Sequence, residues 1–200
     1  MRLARVYPIV EGAGWISRLA PLGVRLVQLR VKGRPAGEVR DEVRAARALC
    51  AAADMQLIVN DYWEIALEEG CNFVHLGQGD LAQADLAALR RAGVRVGIST
   101  HDHEELERAL RAAPDYVALG PIYPTLLKVM PWQPQGLTRI GEWKRRIGTM
   151  PLVAIGGLTL ERLAGVFAAG ADVAAVVTDI VRDRNPEARA RAWLAAAEAA

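Results

Sequence analysis

Cysteine is nearly absent from the 200 residues. Only Cys50 and Cys71 occur, without metal-ligand spacing, which argues against a disulfide scaffold and a cysteine-based metal centre. Two buried free thiols in a reducing compartment are expected. No apolar run approaches the roughly 18 residues of a membrane span, and no basic segment precedes an apolar signal core at the N-terminus. A cytoplasmic protein with no membrane partner is therefore expected. An excess of charge of one sign is missing too: 25 basic residues face 23 acidic ones, a net of +2. That balance leaves no general footprint for nucleic acid, so any affinity for anions must be local.

The residues that are present describe a globular chain. Hydrophobic residues make up 52% and charged residues 24%, too mixed for a disordered protein and sufficient for a sizeable core. The length fits a single domain over residues 1–200. Short β-branched runs alternate with amphipathic segments throughout, the pattern of parallel strands joined by crossover helices. Strands are expected at Arg5 to Val10, Val24 to Gln28, Gln56 to Val59, Phe73 to His75, Val94 to Ile98, Tyr116 to Leu119, Leu152 to Ile155 and Val173 to Val176.

Helical spacing appears between them. Gly37 to Ala53 sets Val39, Val43, Ala46 and Cys50 on one face, and Ala82 to Ala92, Glu104 to Ala112, Leu160 to Ala168 and Pro186 to Ala199 behave similarly. Asp80, Asp102 and Thr159 stand before helices, and Gly93 and Gly170 where helices must stop. Eight such units without a long linker favour an α/β fold of the closed (β/α)8 barrel type, the TIM barrel, over an open doubly wound sheet. In such a barrel the site lies at the C-terminal ends of the strands.

Those ends are polar and glycine-rich. Arg30 and Lys32 share a parity, so an extended strand end would turn both toward one anion, such as a diphosphate. Asp61 and Asp80 follow neighbouring strands and could share one hard cation; magnesium fits. Lys128, in the longest loop, could reach a leaving phosphate. Gly156-Gly157 and Val177-Thr178 stand where barrels commonly cradle a second phosphate. The plain readings are a solvated Arg-x-Lys, a helix cap at Asp80, a loop acid at Asp61 and tight turns at the glycines. His75 lies within an apolar strand and reads as structural, while His101 and His103 flank the start of an acidic helix.

Taken in order, VQLRVK (27–32), LIVND (57–61), VHLGQGDL (74–81), GIST (97–100), LGPIYPTLLK (119–128), AIGG (154–157) and GADVAAVVT (170–178) resemble the thiamine-phosphate synthase family over nearly the whole chain. The resemblance implies an enzyme that joins hydroxymethylpyrimidine diphosphate to a thiazole phosphate and releases pyrophosphate. It implies that the Gln28, Leu29, Arg30, Val31, Lys32 segment, Asn60, Ser99 and Lys128 bind the pyrimidine diphosphate, with Asp61 and Asp80 on magnesium. Thr125, Leu126, Leu127, Gly157, Val177 and Thr178 would bind the thiazole phosphate. Arg30, Lys32 and Lys128 would stabilise the departing pyrophosphate. A homodimer is implied as well.

The chain departs from the family pattern at Leu127, where a threonine is usual, at Thr178 for serine, at Gly79 for an acidic residue, and at Val10-Glu11 for Thr-Asp. The segment from Val129 to Gly136 is bulkier than the usual glycine-rich loop and reads as a lid or a packed loop. Three other readings compete. A related thiazole tautomerase uses a histidine in the loop after strand six, where this chain has Gly120-Pro121, and proline moves no proton. A catalytically silent phosphate-binding barrel predicts binding without turnover. A generic phosphosugar barrel leaves Arg30, Lys32, Asp61 and Asp80 unexplained.

Overall fold

The computed structural model describes residues 3–125 and 132–200. Eight parallel strands close into a barrel in chain order: β1 (Val6–Val10), β2 (Leu26–Leu29), β3 (Gln56–Asn60), β4 (Phe73–Leu76), β5 (Arg95–Thr100), β6 (Tyr116–Leu119), β7 (Leu152–Ala154) and β8 (Val173–Val176). Closure is made by β1 against β8, with Tyr7 opposite Ala175. The expected strands are all present, each displaced by at most two residues at either end.

Helices form the outer ring: α1 (Ala13–Leu19), α2 (Ala36–Ala52), α3 (Trp63–Glu68), α4 (Gln78–Leu81), α5 (Leu86–Arg91), α6 (His103–Arg111), α7 (Gly136–Ile147), α8 (Leu163–Ala168), α9 (Thr178–Val181) and α10 (Pro186–Ala199). The sequence pattern of Ala82 to Ala92 needs correction. Its helix begins only at Leu86, because the Asp85 carboxylate accepts from Ala88 N at 2.8 Å and caps it there. Asp80 is no cap but lies inside the short α4. Asp102 caps α6 as expected, accepting from Glu105 N at 2.9 Å. Gly93 and Gly170 take the left-handed conformation after their helices, with φ of 71° and 109°.

Alternation along each strand splits the core in two. Val27, Leu29, Val59, Val74, Leu76, Ile98, Val117 and Leu119 face the helices, whose buried stripes include Val39, Val43 and Ala46 of α2. Tyr7, Leu26, Ile58, Phe73, Tyr116, Val153 and Val173 fill the barrel itself. Buried indole groups tie helices to the strand ends. Trp143 Nε1 of α7 donates to Thr100 Oγ1 at 2.9 Å, and Trp193 Nε1 of α10 donates to the Asp179 carboxylate of α9 at 2.7 Å. Both cysteines are buried and free, as expected.

Candidate active site

Toward the C-terminal ends of the strands the barrel filling stops and a cavity of about 420 Å³ opens. Gln28, Arg30, Asn60, Ser99 and Val177 line it, so five of the residues expected at the site meet there. Leu29 and Val31 do not: their side chains are buried in the helix-facing core, and only their backbone can face a ligand. The alternation that turns Gln28 inward turns these two outward. Asn60 is 5% exposed, and its Nδ2 has no hydrogen-bond partner among the described residues. An unsatisfied buried donor is costly, and a ligand acceptor in the cavity would satisfy it.

The rim holds the charges. Lys32 forms an ion pair with Asp61, whose side chain is 16% exposed against 50% for the lysine. Asp61 itself sits at φ 65°, a left-handed bend at the end of β3, and its N–H donates to the His75 carbonyl at 2.9 Å. Burial pushes the Asp80 carboxyl above the usual carboxylate range; the Asp61 charge and a hydrogen bond to Asp61 raise it further, and Lys32 opposes them. The two acids are therefore in contact at the rim. Gly77 makes room for Asp80, since a Cβ there would lie 3.1 Å from Asp80 Oδ2. Gln78 anchors the same short helix, donating from Nε2 to the Ser99 carbonyl at 2.7 Å.

Across the mouth, the loops after β6 and β7 pack closely. Gly157 has φ 64°, and a Cβ on it would lie 2.5 Å from the Pro124 carbonyl oxygen, so only glycine fits. Arg162 donates to the Gly157 carbonyl and stacks on the Tyr123 ring at 4.3 Å. Thr178 opens α9, whose Asp179 accepts from Arg189 Nε at 2.9 Å. Thr125 is half-buried in the loop after β6. Leu126, Leu127 and Lys128 lie outside the described residues, as does the Val129 to Pro131 part of the bulky segment. The Trp132 part of that segment stacks on His101, with ring centroids 3.7 Å apart.

Several lining residues are invisible to the strand-end reading. His75 is one: it is not merely structural but forms part of the cavity wall, with Nε2 2.8 Å from Ser99 Oγ. Tyr7 and Arg182 are others, whereas Glu11, also on the wall, directly follows β1. Among the described residues no carboxylate pairs with Arg30 or Arg182, so two guanidinium groups are available at the mouth. The even spacing of Gln28 and Arg30 signals this face; Arg182 has no such signal, because it reaches the mouth from beyond a helix.

Comparison with known proteins bears on this arrangement. A family described as thiamine monophosphate synthase matches residues 8–180. A thiamine-phosphate synthase of Rhizobium etli is 63% identical over 196 residues, covering 98% of this chain and 96% of that protein. One of Klebsiella pneumoniae is 47% identical over 177 residues, 88% of this chain and 84% of its own. Among solved structures, a thiamine phosphate pyrophosphorylase from Pyrococcus furiosus superposes with a TM-score of 0.84 at 22% identity, covering 98% of this chain and 96% of that one. At that identity the likeness bears on the fold alone.

Proposed function

The chain belongs to the thiamine monophosphate synthase family and is a transferase coupling a pyrimidine diphosphate to a thiazole phosphate with release of pyrophosphate; on that premise we propose how the barrel mouth does so. The pyrimidine enters the cavity between Gln28, Asn60 and Ser99, and its diphosphate lies at the rim over Arg30 and Lys32. The observation that carries this reading is the contact of Asp61, Asp80 and Lys32 on the strand ends that carry Arg30 and Asn60, which line the cavity.

Asp61 and Asp80 suit a magnesium ion. Two carboxylates in contact, one already held partly by a lysine ammonium, form a hard oxygen donor pair that a divalent cation would relieve of its repulsion. Among the described residues no group of three or more His, Cys, Asp or Glu could hold a metal, so the remaining oxygens would come from the diphosphate and water. When bound, the ion neutralises charge on the leaving pyrophosphate.

The reaction needs no protein nucleophile. The bond from the pyrimidine methylene carbon to the diphosphate oxygen breaks, its electron pair leaving with pyrophosphate, and the thiazole nitrogen lone pair then bonds to that carbon. Arg30, Lys32 and Lys128 stabilise the departing charge, and the closed barrel floor keeps water from the cationic carbon. The second phosphate is held near Gly157, Val177 and Thr178 with Thr125, Leu126 and Leu127, where the available Arg182 guanidinium adds a cation.

Among the described residues no helix is long and apolar enough to cross a membrane. A cytoplasmic homodimer completes the reading, and sedimentation of the purified chain checks its second half.

Purified protein incubated with magnesium and both substrates should form thiamine phosphate and pyrophosphate, and a chelator should stop it. Asp61→Ala should lose the metal-dependent turnover by at least about a hundredfold, the scale on which removing a group that stabilises transition-state charge acts. Equal metal dependence in the two proteins would remove Asp61 from the reaction.

A further inference from the structure

A chain of hydrogen bonds runs through the cavity floor from Gln28 to Ser99, and the coupling chemistry leaves its inner members, Tyr7, Tyr116 and His75, unused. Gln28 Nε2 donates to the Tyr7 hydroxyl at 2.9 Å, and the Tyr7 and Tyr116 hydroxyls are 3.1 Å apart. Tyr116 Oη lies 2.7 Å from His75 Nδ1, and His75 Nε2 lies 2.8 Å from Ser99 Oγ. The His75 ring stands between the Tyr116 and Ser99 hydroxyls, and in its neutral form it carries a single N–H. Each hydroxyl also has one hydrogen, so the chain has two self-consistent directions.

Run outward, Tyr7 donates to Tyr116, Tyr116 donates to His75 Nδ1, and His75 Nε2–H donates to Ser99. The Ser99 hydrogen is then left for the cavity. Run inward, Ser99 donates to His75, His75 to Tyr116 and Tyr116 to Tyr7. The Tyr7 oxygen then accepts from both sides, and its own hydrogen has no acceptor. Tyr7 is 1% exposed, so that stranded hydrogen carries the full penalty of burial. With the Gln28 amide nitrogen turned to Tyr7, every hydrogen is satisfied only in the outward direction.

A second observation shows that the fold makes room for this chain. Gly97 lies between His75 and Tyr116 in the strand register. A Cβ on Gly97 would sit 2.1 Å from Tyr116 Cζ and 2.6 Å from its hydroxyl. The missing side chain lets the Tyr116 ring cross β5 and stack on His75, with centroids 5.6 Å apart and planes 15° apart.

We propose that Tyr7, Tyr116 and His75 form a positioning relay that fixes Ser99 as a hydrogen donor into the cavity, where it selects a ring-nitrogen acceptor of the pyrimidine. Gln28, whose amide nitrogen is committed to Tyr7, keeps its Oε1 as the acceptor beside it. The proposal rests on reading the cavity as the pyrimidine site. Base recognition is then set from residues behind the cavity wall, which Tyr116 governs without touching the substrate.

Imidazole nitrogen NMR of the ligand-free wild type should find His75 protonated at Nε2 and bare at Nδ1; protonation at Nδ1 overturns the proposal. Tyr116→Phe keeps the ring and removes the hydroxyl. It should raise KM for the pyrimidine diphosphate about tenfold, the loss of one neutral hydrogen bond. In that variant kcat should stay within about threefold and KM for the thiazole phosphate should hold, while His75 loses its single tautomer. An unchanged tautomer with an unchanged KM in that variant also overturns it. Should Tyr116→Phe not fold, Tyr7→Phe leaves the Tyr116 to His75 bond in place and should keep the Nε2 tautomer; a switch to Nδ1 there counts against the relay. Failure of the wild type to form thiamine phosphate is read from product alone, so failure of the coupling reading is distinguishable from failure of the relay.

Discussion

His75 is enclosed by the Tyr116 and Ser99 hydroxyls. Burial depresses its pKa from 6.5 to about 4; the Asp61 charge opposes the shift and the Arg30 charge adds to it. Above pH 6.5 the imidazole is neutral in both the folded and the unfolded chain, and its contribution to stability is fully present. As the pH falls toward 4 the unfolded chain takes up a proton that the folded one refuses, so stability declines. The loss from this one residue should reach roughly 3 kcal/mol below pH 4. Urea unfolding of wild type and His75→Gln at pH 7, 5.5 and 4 checks it. Parallel pH profiles for the two proteins would remove His75 as the source. The carboxylate-pair chemistry of Asp61 and Asp80 and the parity of Arg30 and Lys32 were legible as residue types in the sequence. The role of His75 was not, because both its partners are distant in the chain: Ser99 is 24 residues away and Tyr116 is 41.

Among the elements, α9 and α10 depend on each other through one carboxylate. Asp179 accepts from Arg189 Nε at 2.9 Å, Arg189 Nη2 at 3.0 Å, Trp193 Nε1 at 2.7 Å and Leu160 N at 3.2 Å. Its side chain is 14% exposed and that of Arg189 22%. Asp179→Ala would leave the Trp193 indole and the Leu160 N–H without their acceptor and the Arg189 guanidinium with Glu161 as its remaining carboxylate, at a cost of about 1–3 kcal/mol. The same change should loosen the start of α9 and raise KM for the thiazole phosphate more than KM for the pyrimidine diphosphate. Denaturant midpoints and the two Michaelis constants measure both effects, and a stability change below about 0.5 kcal/mol would show the cluster to be incidental. Helix periodicity found α2, α6, α8 and α10 but not α1, α3 or α7, which α/β alternation alone requires, nor the single turn α9. It also passed over α4 and began α5 four residues early, at Ala82 instead of Leu86, because apolar spacing continues back through the Asp85 cap.

For the molecule as a whole, ligand binding at the mouth should appear as stability, since a ligand that binds only the folded chain stabilises it by mass action. Magnesium with pyrophosphate at about a hundred times its Kd contributes about 2.7 kcal/mol. In a chain of this size that corresponds to a Tm rise of roughly 5–10 °C. Differential scanning fluorimetry should show the rise with magnesium and pyrophosphate together. It should vanish with a chelator and in Asp61→Ala. An equal rise with pyrophosphate alone would show that Arg30 and Lys32 suffice and that the carboxylates hold no metal.

The sequence by itself determined the run of eight βα units and the set of polar strand ends. Both follow from short-range pattern: strand and helix periods, capping residues, and the position of Gln28, Arg30, Asn60, Asp61, Ser99 and Thr178 at or just past the end of a strand. The relay in the barrel floor was decided only by the tertiary structure. Parallel strands buried on both faces read as nearly unbroken apolar runs, so the alternation does not say which residues turn inward. Closing β1 onto β8 makes that choice, and it brings Tyr7 within 3.1 Å of Tyr116, 109 residues away. Gly97 is the residue where the two levels meet. In the sequence it is a glycine in a strand; in the closed barrel it is the gap through which Tyr116 reaches His75.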